Sequence, residues 1–146
     1  MNISPALEDY LEAILILQES QKHVRVKSLA DFMQVKAPSV IDALSHLKQM
    51  GLIAQEPYGT IELTSRGIPL AQEIYGRHNT LKRFFREILG LEENVAEEDA
   101  CKSEHYLSQK TIQRMLQFMR FIEVQPQDHS EMLSNFNTFI KESKAR

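Results

Sequence analysis

The chain has one cysteine in 146 residues, no apolar run of membrane-spanning length, and no surplus of positive charge. A single thiol excludes an internal disulfide framework and suits a reducing, cytoplasmic setting. The lack of a long apolar run excludes a membrane span, and the amino terminus lacks the basic-then-apolar order of a signal peptide. A net charge of −3 leaves no global nucleic-acid signature, so any such function must rest on a local basic surface. Internal repeats, low-complexity tracts and phosphate-binding glycine loops are also missing. What remains is an ordinary soluble composition, 42% hydrophobic and 25% charged, long enough for one domain or two small ones.

The charge that is present is unevenly placed. Lys22, Arg25, Lys27, Lys36 and Lys48 stand against only Asp31 and Asp42 between positions 22 and 48. Between 87 and 104, Glu87, Glu92, Glu93, Glu97, Glu98, Asp99 and Glu104 stand against Lys102 alone. One part suits an anionic partner and the other a cation.

The acidic part holds the most informative stretch, Glu97-Glu98-Asp99-Ala100-Cys101-Lys102-Ser103-Glu104-His105. On a helix, Cys101, Glu104 and His105 share one face about 100° wide. Thiol, carboxylate and imidazole are side chains that bind transition metals. Three donors leave a coordination shell incomplete, and the further candidates are His78, Asp9 and Glu12. The plainer reading is a solvated acidic helix with a buried cysteine, with Asp9 and Glu12 facing solvent at the positive end of a first helix.

Ser4-Pro5 marks the start of that first helix, with Leu7, Leu11, Ile14 and Leu15 as its apolar stripe and an end near Gln21. After an extended Val24-Arg25-Val26, a short helix over 27–33 turns Leu29, Ala30, Phe32 and Met33 inward. Residues 34–37 make a turn. Pro38 opens a second helix reaching Met50, its apolar side formed by Val40, Ile41, Leu44 and Leu47, and Gly51 closes it. A plain helical hairpin reads the same way up to this point. The continuation argues otherwise: a strand over 52–56, a turn at 57–60 and a return strand over 61–63 complete a winged helix-turn-helix.

Within it, Lys27, Ser28, Lys36, Ser39, Ser45, Lys48, Thr64 and Arg66 are suited to phosphate oxygens, which set register. Pro38, Ser39 and Asp42 open the second helix, the end that meets base edges. Pro38 offers an apolar surface to thymine methyls, and Asp42 an acceptor for cytosine N4.

A long helix over 68–89 follows, ended by Gly90, with His78 and Lys82 one turn apart. Asn94 is expected to cap a helix over 95–106 carrying the acidic motif. A further helix after Ser108 has Ile112, Met115, Leu116, Met119 and Ile122 on one side. Pro126 then breaks the chain before a last amphipathic helix over 130–144. The apolar surplus of these helices, with Phe84, Phe85 and Phe118, is expected to pack against a second copy of the chain.

Ser4-Pro5-Ala6-Leu7-Glu8-Asp9-Tyr10-Leu11-Glu12-Ala13-Ile14, Pro38-Ser39-Val40, Gly51-Leu52, Leu63-Thr64 and the run Ala100 to Ser108 together resemble the diphtheria-toxin-repressor / manganese-transport-regulator (DtxR/MntR) family. The likeness runs from about Ser4 to about Met119. It implies a mainly α protein: a winged helix-turn-helix DNA-binding domain, then a helical metal-binding and dimerisation domain, without the SH3-like third domain of longer members. We place the boundary at 70/71, giving domains 1–70 and 71–146. The resemblance implies metal ligands at Asp9, Cys101, Glu104 and His105, with Glu12 and His78 added in the manganese branch. Asp9 and Glu12 look like the manganese branch and Cys101 like the iron branch. An ancillary site of the iron branch would fall on His78, Lys82 and Glu97, where an ammonium replaces a carboxylate.

The expectation is therefore a metal-dependent transcriptional repressor and not an enzyme. Its cofactor is Fe²⁺ or Mn²⁺, with Zn²⁺ or Co²⁺ binding in vitro. Its partners are double-stranded operator DNA of metal-uptake genes and a second identical chain, with no membrane and no small organic substrate. Two other classes compete: a winged-helix regulator sensing oxidation through Cys101, and a metalloenzyme, for which no substrate cleft is visible in the sequence.

Overall fold

The computed structural model describes residues 3–21, 23–125 and 129–144; Lys22 and Pro126, read above as part of a basic run and as a chain break, lie outside them. The chain divides into two compact units, Met1–Gly76 and Arg77–Arg146.

The first unit opens with α1 (Pro5–Ser20), where the Ser4 hydroxyl accepts a hydrogen bond from the Leu7 amide at 3.3 Å and Pro5 occupies the first helical position. Both features supply what a helix start needs, an acceptor for an orphan N–H and a residue with no N–H to satisfy. The stripe expected from the sequence is buried through Leu11, Ile14, Leu15 and Leu17. Glu12 is buried as well, at 8% exposure, against the plainer reading of it as a solvent-facing acid.

Two helices follow, α2 (Val26–Met33) and α3 (Ala37–Gln49), joined through Gln34 in the left-handed region at φ 55°. Leu29, Ala30, Val40, Leu44 and Leu47 are buried here. Phe32 and Ile41 are not: they are 48% and 57% exposed, correcting their assignment to the inner face. α2 is too short for periodicity to separate its inner edge from its flank, and Ile41 adjoins Val40 on the outer side of the stripe.

Gly51 takes φ +70°, as an α3 C-cap requires, and releases the chain into the wing. β1 (Ile53–Gln55) pairs antiparallel with β2 (Ile61–Leu63), with Ile53 opposite Leu63. Val24 adds a single bridge to Ile61, whose amide donates to the Val24 carbonyl at 2.7 Å. The turn between the strands closes from the Gly59 amide to the Glu56 carbonyl, and Tyr58 stands at its tip with φ 57° and complete exposure.

Thr64 ties the wing to α4 (Gly67–Arg83): its hydroxyl donates to the Gly51 carbonyl at 2.7 Å and accepts from the Gly67 amide at 3.1 Å. A Cβ on Gly67 would fall 1.9 Å from the Leu52 carbonyl oxygen, so only glycine fits there. Leu11, Ile14, Leu29, Leu47, Leu52, Ile61 and Ile74 belong to one core, and burying each stabilises the unit by about 1.5–3 kcal/mol.

The second unit continues from α4 into a π-helical turn, Phe84–Ile88, rather than the unbroken α-helix expected to Leu89. The Leu89 amide donates five residues back, to the Phe84 carbonyl, at 3.2 Å. Gly90, at φ +69°, ends it. α5 (Glu93–Ser103) begins with Glu92 as N-cap, so Asn94 is not the cap, and it ends three residues before Tyr106. Its helical bonding nonetheless persists to Glu104, whose amide donates to the Ala100 carbonyl.

α6 (Gln109–Glu123) starts on Ser108, which accepts from the Thr111 amide at 3.2 Å, and buries Ile112, Met119 and Ile122. α7 (His129–Lys144) follows. Leu81, Ala100 and Ile112 form a small core with Phe85, Leu107 and Met115 against it. Phe118, Phe121, Met132, Phe136 and Phe139 remain exposed, an apolar surface large for so small a core.

Candidate metal centre and DNA-reading surface

The second unit gathers several of the sequence-predicted donors. His78, from α4, is 5% exposed and has both ring nitrogens engaged. Its Nδ1 lies 2.8 Å from Glu104 Oε2, and its Nε2 lies 3.1 Å from Glu97 Oε1. Cys101 Sγ is 3.8 Å from His78 Nδ1, while the cysteine as a residue is exposed. His78, Glu97 and Cys101 bring one donor atom each within 4.8 Å of one another. The spacing of α5 explains the grouping, since positions 97, 101 and 104 fall on one helical face.

Glu104 is the least expected of these residues, a carboxylate at 0% exposure. His105, its own side chain buried, places Nε2 3.3 Å from Glu104 Oε1. That oxygen makes no hydrogen bond within the described residues. A buried carboxylate oxygen that lacks a hydrogen bond and faces a single imidazole costs free energy that a cation would remove. An oxygen so placed beside the His105 imidazole, on a carboxylate whose other oxygen faces His78, fits a divalent transition metal.

Asp9 and Glu12 lie three residues apart on α1 in the first unit, Asp9 half-buried and Glu12 buried. Sequence reasoning missed one feature of the outer side. Lys82 Nζ is 2.7 Å from Glu93 Oε1 and 2.8 Å from Glu97 Oε2, and Arg86 Nη1 meets Glu93 Oε2 at 2.5 Å. Glu93 lies eleven positions after Lys82, so no helical spacing announces the pair. Burial pushes the Glu97 carboxyl up, but the Lys82 hydrogen bond and the neighbouring His78 outweigh it and hold the group below the usual carboxylate range. Those same two carboxylates raise the Lys82 ammonium above its ordinary value.

In the first unit, Lys27, Lys36, Pro38, Ser39, Asp42, Ser45, Lys48 and Arg66 are all exposed. Lys36, Pro38, Ser39 and Asp42 cluster at the start of α3, and Asp42 is joined there by His46, whose Nδ1 lies 2.9 Å from the Asp42 carbonyl. Three of the expected phosphate donors have internal bonds, Thr64 through its contacts to Gly51 and Gly67. The Ser28 hydroxyl donates to the Arg25 carbonyl and accepts from the Arg25 amide, capping α2, and Lys48 Nζ donates to the Gln55 carbonyl at 3.0 Å.

A helix-turn-helix with a two-stranded wing, followed by a helical unit with a buried mixed-donor cluster, defines a winged-helix regulator of the metal-responsive class. The comparisons agree. Residues 2–61 match the iron dependent repressor N-terminal DNA binding domain, and residues 64–133 match the iron dependent repressor metal binding and dimerisation domain. The chain is 39% identical over 118 residues to an HTH-type transcriptional regulator of Methanocaldococcus jannaschii, covering 80% of this chain and 94% of that one. It is 31% identical over 120 residues to the HTH-type transcriptional regulator MntR of Bacillus subtilis, covering 82% of this chain and 84% of that one. Among solved structures it is similar to the manganese regulator SloR, with a TM-score of 0.72 and 28% identity over 82% of this chain. It spans 55% of that chain, about half its length. The chain belongs to the iron dependent repressor, or DtxR/MntR, family. That family consists of metal-dependent transcriptional repressors and not of enzymes. No helix among the described residues is long and apolar enough to cross a membrane.

Proposed function

We propose that this chain is a cytoplasmic, metal-activated repressor that binds operator DNA of metal-uptake genes as a homodimer. Domain 1–70 reads the duplex, and domain 71–146 carries the metal and the dimer contact. The observation that carries the reading is Glu104: a fully buried carboxylate with one oxygen lacking a hydrogen bond, set among His78, Cys101 and His105. A regulator with no cation to sense gains nothing from that arrangement.

His78, Cys101, Glu104 and His105 would hold the ion from the second unit, and Asp9 and Glu12 would reach it from α1; Glu97, the ancillary candidate, is paired with Lys82 and His78. The bound ion supplies positive charge and a fixed coordination number. With it, the two winged helices of a dimer settle at one separation, and both α3 helices enter major grooves together. Switching of this kind depends on differential affinity: near-complete conversion needs about 5.5 kcal/mol of preference for the competent arrangement.

Carboxylates suit Mn²⁺, and the relatives named for manganese favour it; the Cys101 thiol suits Fe²⁺ and later metals. We place Fe²⁺ first with Mn²⁺ close behind, and expect Zn²⁺ and Co²⁺ to bind in vitro. Lys27, Ser28, Lys36, Ser45, Lys48 and Arg66 would set register on phosphates, while Pro38, Ser39 and Asp42 meet base edges. The exposed aromatic residues of α6 and α7 would pack against the second copy.

The test is enrichment from a random duplex pool by the metal-stripped chain, with Mn²⁺, Zn²⁺ or anaerobic Fe²⁺ added back. A common sequence should emerge only when metal is present. Equal enrichment in chelator would remove metal from the function.

A further inference from the structure

The acidic face of α5 is satisfied very differently at its two ends. Outward, all four carboxylate oxygens of Glu93 and Glu97 have partners. Lys82 holds one oxygen of each, Arg86 holds the second of Glu93, and His78 Nε2 lies 3.1 Å from the second of Glu97. Inward, His78 Nδ1 faces Glu104 Oε2, and the other Glu104 oxygen has no hydrogen bond. The ring of His78 therefore separates an outer half already filled by a side-chain cation from an inner half whose charge partners are imidazoles.

We propose that Lys82 is a tethered cation occupying the outer half of this cluster, so that no divalent ion is held between Glu93 and Glu97 and metal binds at the inner half alone. This rests on the metal-binding reading above. An ammonium has three donors and no lone pair, so it cannot ligate. Its positive charge also repels any ion approaching Glu93 or Glu97. The side chain is itself well held, 27% exposed between carboxylates that are 56% and 45% exposed, and Arg86 reinforces Glu93 from the far side. Two consequences follow: the outer contact between α4 and α5 forms without metal, and filling of the inner half does not wait on a second ion.

The experiment is calorimetric titration of the full-length, metal-stripped chain with Mn²⁺, with elemental analysis of ions retained at saturation. The original chain and Lys82→Arg should retain the same number of ions, and Glu93→Gln should lose none. Lys82→Glu should retain one more, because a carboxylate then faces Glu97 and Glu93 where the ammonium stood. Lys82→Gln, the milder change should Lys82→Glu not fold, should bind metal at the inner half about tenfold tighter, the effect of removing one neighbouring like charge from an ionic equilibrium. Loss of an ion in Glu93→Gln would overturn the proposal. So would no added ion in a folded Lys82→Glu chain, or unchanged affinity in Lys82→Gln. No ion at all in the original chain would instead overturn the metal-binding reading beneath it.

Discussion

His78 Nδ1 and Glu104 Oε2 lie 2.8 Å apart, both side chains buried, although the residues are 26 positions apart in the sequence. A buried imidazole facing a buried carboxylate is a costly pairing to keep for packing alone, since an apolar pair of similar volume is often no less stable. Removing the Glu104 charge tests what the pairing is for. Glu104→Gln keeps the shape and should weaken Mn²⁺ binding by about 100-fold or more, the upper end of losses seen when even a supporting group around a metal is changed. Calorimetry of the metal-stripped variant checks it, and unchanged affinity would take Glu104 out of the site.

Cys101 should set which metal is preferred more than whether metal binds. Thiolate favours later, softer ions, so Cys101→Ser should lower affinity for Co²⁺ and Zn²⁺ more than for Mn²⁺. The same variant should lose the thiolate-to-cobalt charge-transfer absorption of the Co²⁺-loaded chain. A regulator sensing oxidation would instead lose its response to peroxide and keep its metal preferences.

Phosphate contacts are expected from the exposed cations at the start of α3 and beyond the wing. Log affinity for DNA should fall with log salt by about 0.9 per phosphate neutralised. Lys36→Ala and Arg66→Ala should each flatten that slope by about one such step and weaken binding to all duplexes alike. Fluorescence anisotropy between low and physiological salt reads both effects.

The order helix, turn, helix, wing was legible because each of its signals is local. Ser4-Pro5 starts a helix, Gly51 stops one, and a two-residue period flanks Pro57-Tyr58-Gly59. Phe32 and Ile41 misled because hydrophobicity marks a face without saying which of two neighbouring residues fills it. Asn94 is a better N-cap by preference than Glu92, yet the backbone turns into the helix two residues earlier. The π turn at Phe84–Ile88 leaves no trace in an apolar pattern that reads equally well as α-helix. At the candidate site, Cys101 and Glu104 were legible by spacing along α5 to its C-cap, and His105 follows just beyond the helix end. The pairing of Lys82 with Glu93 joins two elements and was not.

Tyr58 takes a backbone conformation better suited to glycine, and its ring gains no burial in return. The left-handed region costs a non-glycine residue about 1–2 kcal/mol, and glycine's extra chain entropy returns about 0.5–1 kcal/mol of that. Tyr58→Gly should therefore stabilise the chain by about 0.5 kcal/mol in urea unfolding. A loss of stability would show that the ring makes a contact worth more than the strain.

Phe121 and Phe139 are 57% and 65% exposed on α6 and α7. Phe121→Glu with Phe139→Glu places two charges on the surface proposed to meet the second copy. Light scattering should show the dimer converted to monomer at micromolar concentration while helical content is retained. A dimer that survives the double substitution has its contact elsewhere.

The most direct measurement of the central claim is the anomalous scattering of Mn²⁺ in a crystal of the metal-loaded chain. The account expects a peak bonded both to an α1 carboxylate, Asp9 or Glu12, and to Glu104 and His105. The oxygen distances should be near the 2.0–2.2 Å typical of a carboxylate on a small divalent ion, about as for zinc. A peak bonded only to residues of the second unit, with Asp9 and Glu12 both out of reach, would contradict it.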